Sequence, residues 1–284
     1  MSPPTEVPRP IPNIAASTPR VISIDVGNTS VKIGRWDPAH ADIECCSFDL
    51  TDADVESQLA DQLRSWLRGE GVSHQVTNDE VRIASVNLQA ARIVTRAIDA
   101  LANERLRQRV ILSTDVPMVI GTREPNKTGI DRLVGAWAAR ELHGSPVVVV
   151  DAGTTVTVDL VDDTGQFRGG AILPGLEMQT RALAADTDAL PKLDWRRSVP
   201  FDQLDSTKAA NNTLDAIRLG VLSAVSGGIE RIVAGYQHHG NVIVTGGDAE
   251  CLLETMKPLH PVHCHQLVCR GLLMLPSDAT TGNR

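Results

Sequence analysis

Hydrophobic positions along the first half of the chain predict strands that alternate with helices. The β-branched run at 21–25 and the apolar alternation at 30–34 predict two strands joined by a tight turn. Apolar residues at helical spacing predict a helix over 54–68. Two further strands are expected at 81–86 and 108–112, with a helix at 90–106 between them.

The second half of the chain repeats this alternation. A helix is predicted to begin within 128–131 and to run to residue 142, and the continuous apolar run at 145–150 is typical of a buried central strand. Later elements are predicted as a strand at 156–160, a long helix from 212 or 213 to 236, a strand at 241–245 and a last helix after 246–248. Such alternation indicates an α/β protein.

Two segments of the chain resemble each other. Residues 21–33 and 148–158 both read as an apolar strand, Asp, any residue, Gly, a polar residue, Thr and a second apolar strand. About 126 positions separate Asp25 from Asp151, which is the spacing of whole domains, whereas solenoid repeats recur every ~20–50 residues. We therefore expect a duplicated fold whose two lobes hold a ligand in the cleft between them. The predicted boundaries are a Pro-rich tail at 1–20, lobes at 21–143 and 144–276, and a tail at 277–284.

Composition argues against several classes of function. The net charge of −8 and the aromatic content of 3% disfavour a nucleic-acid partner, which needs a basic face and stacking side chains. No apolar run approaches the ~20 residues that cross a membrane, and the Pro-rich start lacks the apolar core of a secretory signal. Five cysteines, an odd number in a long chain, favour a reduced, cytoplasmic protein over a disulfide framework.

The turn after the first strand carries the first candidate site. Asp25 ends the strand, and Mg²⁺ prefers one or two carboxylates together with water and substrate phosphates. The turn amides and the Thr29 hydroxyl can bind phosphate oxygens, and Lys32 can add positive charge. The alternative is a plain β-turn, since Asp, Gly, Asn and Thr are common turn residues. The second copy of the motif favours phosphate binding.

Two further candidates follow. Asp151 ends a buried strand, where an ionised carboxylate is costly unless it is paired or metal-bound; the alternative is satisfaction by its own turn. Thr128 and Asp131 have the spacing of a helix capping box. The functional alternative uses the same helix start, with Asp131 accepting the proton of a substrate hydroxyl and Arg132 holding a substrate carboxylate.

Three weaker patterns complete the set. The glycine-rich segments at 169–175 and 245–248 predict loops where the backbone closely approaches another group. Glycines at 220, 227 and 228 predict close packing of the long helix against another helix. The histidines and cysteines within 260–269 lack the paired spacing of a zinc site, and a strand is expected at 262–268.

Five motifs, in order along 21–275, together resemble the type III pantothenate kinase family of the acetate kinase, sugar kinase, Hsp70 and actin superfamily. They are Asp25-Val-Gly-Asn-Thr29, Gly129-Ile-Asp-Arg132, Asp151-Ala-Gly-Thr-Thr-Val-Thr-Val-Asp159, Gly169-Gly-Ala-Ile-Leu-Pro-Gly175 and Thr245-Gly-Gly247. The resemblance implies a duplicated ribonuclease-H-like (actin-like ATPase) fold, a homodimer, and ATP-dependent phosphorylation of pantothenate, the first step toward coenzyme A. It also implies Mg²⁺, and K⁺ or NH₄⁺.

The resemblance also implies residue roles. The implied ATP-binding positions are Asp25, Val26, Gly27, Asn28, Thr29, Ser30, Val31, Lys32 and Thr154. The implied pantothenate-binding positions are Gly129, Ile130, Asp131, Arg132 and Thr213, with Asp131 as the catalytic proton acceptor. Asp151 matches the monovalent-cation ligand, and Asp25 is expected to hold Mg²⁺ directly or through water. The segment 120–125 lacks the aromatic residue that many members carry there.

Two other functional classes stay open. A kinase of the same superfamily would act on a sugar or acetate, although the 129–132 segment and the short chain argue against it. A non-catalytic regulator resembling Bvg accessory factor would need no proton acceptor. The presence of Asp25, Asp131, Arg132 and Asp151 therefore argues against regulation alone. A panel of acceptors and an ATP-turnover assay separate these classes.

Overall fold

The computed structural model describes residues 20–68, 79–101, 106–193, 195, 208–237 and 240–277. The predicted tails at 1–20 and 277–284 lie, apart from Arg20 and Ser277, outside these residues. The described residues form two compact units. The first contains the described parts of Met1–Met118, Arg123–Leu142 and Gln266–Arg284, and the second contains those of Val119–Thr122 and His143–His265.

Strands and helices alternate along both units, as the hydrophobic pattern predicts. The strands are β1 (Val21–Val26), β2 (Ser30–Asp37), β3 (Asp42–Asp49), β4 (Glu80–Ser85), β5 (Arg107–Val110), β6 (Val147–Ala152), β7 (Thr155–Val161), β8 (Phe167–Pro174), β9 (Asn241–Thr245) and β10 (Val262–His263). The helices are α1 (Val55–Arg68), α2 (Leu88–Asp99), α3 (Ile130–His143), α4 (Leu176–Ala185), α5 (Thr213–Tyr236), α6 (Ala249–Leu253) and α7 (Leu267–Met274). None of the helices in the described ranges combines the length and apolar character that crossing a membrane requires.

The two sheets have the same topology. The first has the strand order β3-β2-β1-β4-β5, and the second has the order β8-β7-β6-β9-β10. In each sheet the first three strands in sequence are antiparallel neighbours, and the last two run parallel to the first. This repeated order confirms the predicted α/β class and the duplicated ribonuclease-H-like fold. Each sheet contributes its apolar residues to a separate hydrophobic core.

Two expectations about the second unit are wrong. The glycine-rich segment at 169–175 is mostly strand β8, because it pairs with β7 in antiparallel register and places Gly170 opposite Asp159. Glycine inside a strand often marks such a close approach of two backbones. A loop can give the same glycine-rich pattern, so the pattern by itself did not distinguish a strand from a loop. The strand expected at 262–268 ends at His263, and the helix α7 begins at Leu267.

The glycines of α5 do not pack as predicted. Among the described residues, nothing lies within 4 Å of the position that a Cβ would take at Gly220 or Gly227. Gly228 instead faces the side chain of Leu173 on β8, whose Cδ2 would lie 2.9 Å from such a Cβ. Close packing therefore explains one of the three glycines, Gly228, and its neighbour belongs to a strand and not to another helix.

The last helix, α7, belongs to the first unit although it follows the second sheet in sequence. It packs against β1, β2 and β4. Arg82 on β4, only 1% exposed, donates hydrogen bonds to the carbonyl oxygens of Leu272 and Leu275 at 2.9 and 2.5 Å, and pairs with Glu80 at 2.9 Å. Because the last carbonyls of a helix lack partners within it, this buried guanidinium fixes the end of α7.

Candidate phosphate-binding and substrate-binding residues

The β1–β2 hairpin places Asp25 opposite Lys32. The antiparallel register pairs the two residues, and Lys32 Nζ lies 3.9 Å from Asp25 Oδ2. Asp25 is buried, whereas Asn28 and Thr29 are exposed at the tip of the turn. The backbone N–H of Gly27 donates to the carbonyl oxygen of Ser30 at 3.0 Å and closes the turn. A buried carboxylate beside a lysine, below an exposed polar turn, suits a metal-bound phosphate chain.

Asp131 lies in the first turn of α3, in the same unit as this hairpin. Its Oδ1 accepts a hydrogen bond from the backbone N–H of Arg132 at 2.8 Å. The bare backbone of Gly129 makes room for it, because a Cβ there would lie 2.6 Å from Oδ1. The carboxylate is thus held at the helix start, where the exposed N–H groups of the first turn favour negative charge.

Burial raises the pKa of Asp131 above the ordinary range of an aspartate. The N–H and the guanidinium of Arg132 act in the opposite direction, and so does the positive charge of Lys32. The result is a carboxylate with increased proton affinity that still has cationic neighbours. Such a group is suited to accept a proton from a hydroxyl during a reaction near neutral pH.

The β6–β7 hairpin is the second copy of the strand, Asp, Gly turn and strand motif. Asp151 takes the position in β6 that Asp25 takes in β1, fifth in a strand of six residues. Gly153 closes the turn through a hydrogen bond from its N–H to the Thr155 carbonyl oxygen at 3.0 Å. The carbonyl oxygen of Thr154, at the tip, accepts from the N–H of Gly175 at 3.1 Å. The predicted turn is therefore present and is anchored to the residue that precedes α4.

Gly246, directly after β9, sets the surroundings of Asp151. Its φ is +98°, and a Cβ there would collide with the Ala152 carbonyl oxygen and lie 2.5 Å from Asp151 Oδ1. The next residues also contact this strand end, since the N–H of Asp248 donates to the Ala152 carbonyl oxygen at 2.9 Å. The close backbone approach predicted from the glycines at 245–248 is therefore confirmed. The segment that they approach is the end of β6.

We expect Gly246→Ala to destabilise the protein more than Gly144→Ala. Both glycines have positive φ, but nothing lies within 4 Å of a Cβ at Gly144. Gly144→Ala should therefore cost about 1–2 kcal/mol from backbone strain alone. Gly246→Ala should add about 1–3 kcal/mol from overpacking against β6. Urea unfolding of the two variants measures the difference, and equal losses would contradict the collision with β6.

Thr213 is the first residue of α5 and is exposed. The preceding Asn212 caps the helix, because its side-chain oxygen accepts from the N–H of Asp215 at 3.0 Å. The predicted helix start is therefore confirmed. Sequence reasoning did not single out Thr245 or Asp248 individually, although both are buried beside the end of β6 and belong to a motif that it did recognise.

The predicted site residues fall into two groups. Asp25, Lys32, Asp131 and Arg132 belong to the first unit, where the charge of Lys32 acts on both carboxylates. Asp151, Thr154 and Thr213 belong to the second unit. The first group combines two carboxylates with two cations, and the second contains a carboxylate at a glycine turn.

Solved structures share this duplicated fold. A Baf family transcriptional activator from Campylobacter jejuni is 18% identical, with a TM-score of 0.56 over 88% of this chain and 94% of its own. The activator of the 2-hydroxyisocaproyl-CoA dehydratase from Clostridium difficile, solved with bound ADPNP, is 11% identical, with a TM-score of 0.51 over 90% and 93%. The chain therefore has the fold called actin-like.

Sequence comparison is more specific. A type III pantothenate kinase from Rhodopirellula baltica is 40% identical over 274 residues, which are 89% of this chain and 97% of the relative. Another from Sulfurihydrogenibium sp. is 28% identical over 90% of this chain and 98% of its own. The family model of type III pantothenate kinase matches residues 21–235. The chain belongs to the type III pantothenate kinase family, and it is a kinase.

Proposed function

We propose that this chain transfers the γ-phosphoryl group of ATP to the primary hydroxyl of pantothenate, the reaction that opens coenzyme A biosynthesis. Family membership supplies the reaction. The observation that carries its assignment to this site is the half-buried Asp131, whose pKa is raised, beside Arg132 at the start of α3. A carboxylate of raised pKa next to a guanidinium suits an acceptor that carries both a hydroxyl and a carboxylate.

The two hairpins bind ATP in this proposal. The first contributes the positions Asp25, Val26, Gly27, Asn28, Thr29, Ser30, Val31 and Lys32, and the second contributes Thr154. Asp25 fits a Mg²⁺ ligand, directly or through water, because it is a buried carboxylate next to a turn that can hold phosphate oxygens. The ion would supply charge neutralisation, on which phosphoryl transfer depends more than on covalent chemistry.

The proposed pantothenate-binding positions are Gly129, Ile130, Asp131 and Arg132 in the first unit and Thr213 in the second. Arg132 holds the carboxylate of pantothenate, the backbone of Gly129 and Ile130 lies alongside it, and Thr213 offers a hydroxyl. As the substrate oxygen bonds to the γ-phosphorus, the bond from that phosphorus to the leaving ADP oxygen breaks. The hydroxyl proton passes to the carboxylate of Asp131.

The first experiment is pantothenate-dependent ADP formation by the purified protein with Mg²⁺. We expect turnover with pantothenate and none with a panel of sugars or acetate. Turnover with another acceptor alone would assign a different kinase of the superfamily. Bound ATP without turnover on any acceptor would favour the non-catalytic regulator.

Asp151 is proposed as the ligand of a monovalent cation. K⁺ or NH₄⁺ there would screen a carboxylate that otherwise repels ATP phosphates. We expect activity to fall by at least about 10-fold when K⁺ is replaced by Na⁺, a loss of about 1.4 kcal/mol of stabilisation. Asp151→Asn should remove most of this K⁺ dependence, whereas Asp188→Asn, an exposed aspartate of the same unit, should preserve it. Equal rates in Na⁺ and K⁺ for the unmodified protein would exclude the role.

We further propose a homodimer in the cytoplasm. The exposed glycines Gly220 and Gly227 give α5 a smooth face that another copy can approach closely. All five cysteines carry free thiols, in keeping with a reducing compartment. Sedimentation equilibrium tests the dimer, and a concentration-independent monomer mass would contradict it.

A further inference from the structure

A second cluster of ligand-type side chains lies at the edge strand of the second sheet. Glu250 comes from the first turn of α6, His263 ends β10, and His265 follows two residues later. We propose that these three residues form a binding site for a divalent transition metal of the Zn²⁺ type. This proposal is independent of the proposed kinase function.

Three ligand groups, two imidazoles and one carboxylate, lie close together. One ligand atom from each residue lies within 4.8 Å of the other two. The imidazole rings of His263 and His265 have centroids 3.8 Å apart, with their planes inclined by 46°. In a tetrahedral site with bonds of about 2.0–2.1 Å, ligand atoms stand about 3.3 Å apart. The side chains of Glu250 and His265 are exposed, so they can rotate and bring the ligand atoms to this separation.

The backbone explains why the histidines meet. His263 ends β10, the buried Cys264 follows it, and His265 lies in the turn before α7, where its ring contacts that of His263. β10 pairs with β9 in parallel, with His263 opposite Val244, and this pairing fixes the first ligand on the sheet. The short helix α6 packs against β10 and brings Glu250 to the pair.

The donor set indicates the class of metal. Two imidazole nitrogens and one carboxylate oxygen match Zn²⁺, and also Cu²⁺ or Ni²⁺, whereas Mg²⁺ and Ca²⁺ prefer oxygen ligands throughout. Three protein ligands leave a fourth tetrahedral position for water or an external group. Because Glu250 and His265 are exposed, that position is open to solvent.

Zinc titration of the untagged full-length protein, against a chromophoric chelator and without ATP, tests this site. We expect one equivalent bound per chain. His265→Ala and Glu250→Gln should each weaken binding by at least about 10-fold, since even loss of a residue that only orients a ligand costs ~10–100-fold. Both side chains are exposed, so these variants keep the fold. His260→Asn, which removes a nearby exposed histidine and tolerates the left-handed backbone there, should bind zinc like the unmodified protein.

Cobalt replaces zinc in a second measurement that identifies the ligands. The protein has five free thiols, which also bind such metals. Visible bands of tetrahedral Co²⁺ without a thiolate-to-cobalt charge-transfer band would support the nitrogen and oxygen set. A strong thiolate band, or unchanged zinc affinity in His265→Ala and Glu250→Gln, would overturn the proposal.

Discussion

Replacing Asp131 with Asn should lower kcat by about 10²–10⁴-fold, the usual contribution of a positioned general base. The amide matches the carboxylate in shape, so the start of α3 should persist, but it cannot accept the proton of the pantothenate hydroxyl. ATP affinity should stay near that of the unmodified protein, because the proposed ATP contacts lie on the two hairpins. Pantothenate-dependent ADP formation and calorimetric ATP binding measure the two quantities separately.

Glu141→Gln provides the matched control for this variant. Glu141 lies on the same helix, is exposed, and pairs with its neighbour Arg140 at 2.7 Å. This substitution should leave kcat unchanged. If Asp131→Asn turned over pantothenate at the control rate, the assignment of the proton acceptor would be wrong.

The pH profile of kcat gives an independent readout of the same residue. The carboxylate must be ionised to accept a proton, so activity falls as pH decreases through its pKa. Burial raises the pKa of Asp131, and this acid limb should therefore lie above the range of an ordinary aspartate. The charge of Lys32 lowers that pKa, so Lys32→Met should move the limb to still higher pH. A shift to lower pH would contradict the interaction.

Arg82→Met should lower the free energy of unfolding by about 3–5 kcal/mol, the usual cost of removing one partner of a buried ion pair. The substitution leaves the carboxylate of Glu80, 4% exposed, without its nearest cation and removes the donor that satisfies the carbonyls at the end of α7. Arg109 lies farther from Glu80, at 3.9 Å, and offers only partial compensation. Urea unfolding measures this loss if the unfolding free energy depends on urea concentration with the same slope in the variant and in the unmodified protein.

Arg96→Met is the exposed counterpart. Arg96 pairs with Glu56 at 2.7 Å between α1 and α2, and both side chains are largely exposed. Such a pair contributes about 0–1 kcal/mol. The double variant Arg82→Met/Glu80→Gln should recover part of the loss, because it no longer buries an unpaired charge. If Arg82→Met and Arg96→Met had the same effect, Arg82 would not anchor α7.

Local signals were sufficient for the two repeated hairpins. The strand, Asp, Gly turn and strand pattern predicted both hairpins, and the structure places Asp25 and Asp151 at equivalent positions. The long apolar helix was predicted almost to the residue, because its periodicity and its cap at Asn212 lie within a short stretch of chain. The structure shows the same strand order in both sheets, as a duplicated fold requires.

Contacts between distant segments decided the remainder. β8 forms a strand because β7 pairs with it, and α7 joins the first unit because Arg82 binds a helix end that is about 190 positions away. The raised pKa of Asp131 depends on burial, and the Glu250–His263–His265 cluster depends on α6 packing against β10. Hydrophobic periodicity and turn chemistry act over a few residues, so they specify elements and motifs. Burial, charge proximity and ligand grouping arise only when those elements pack.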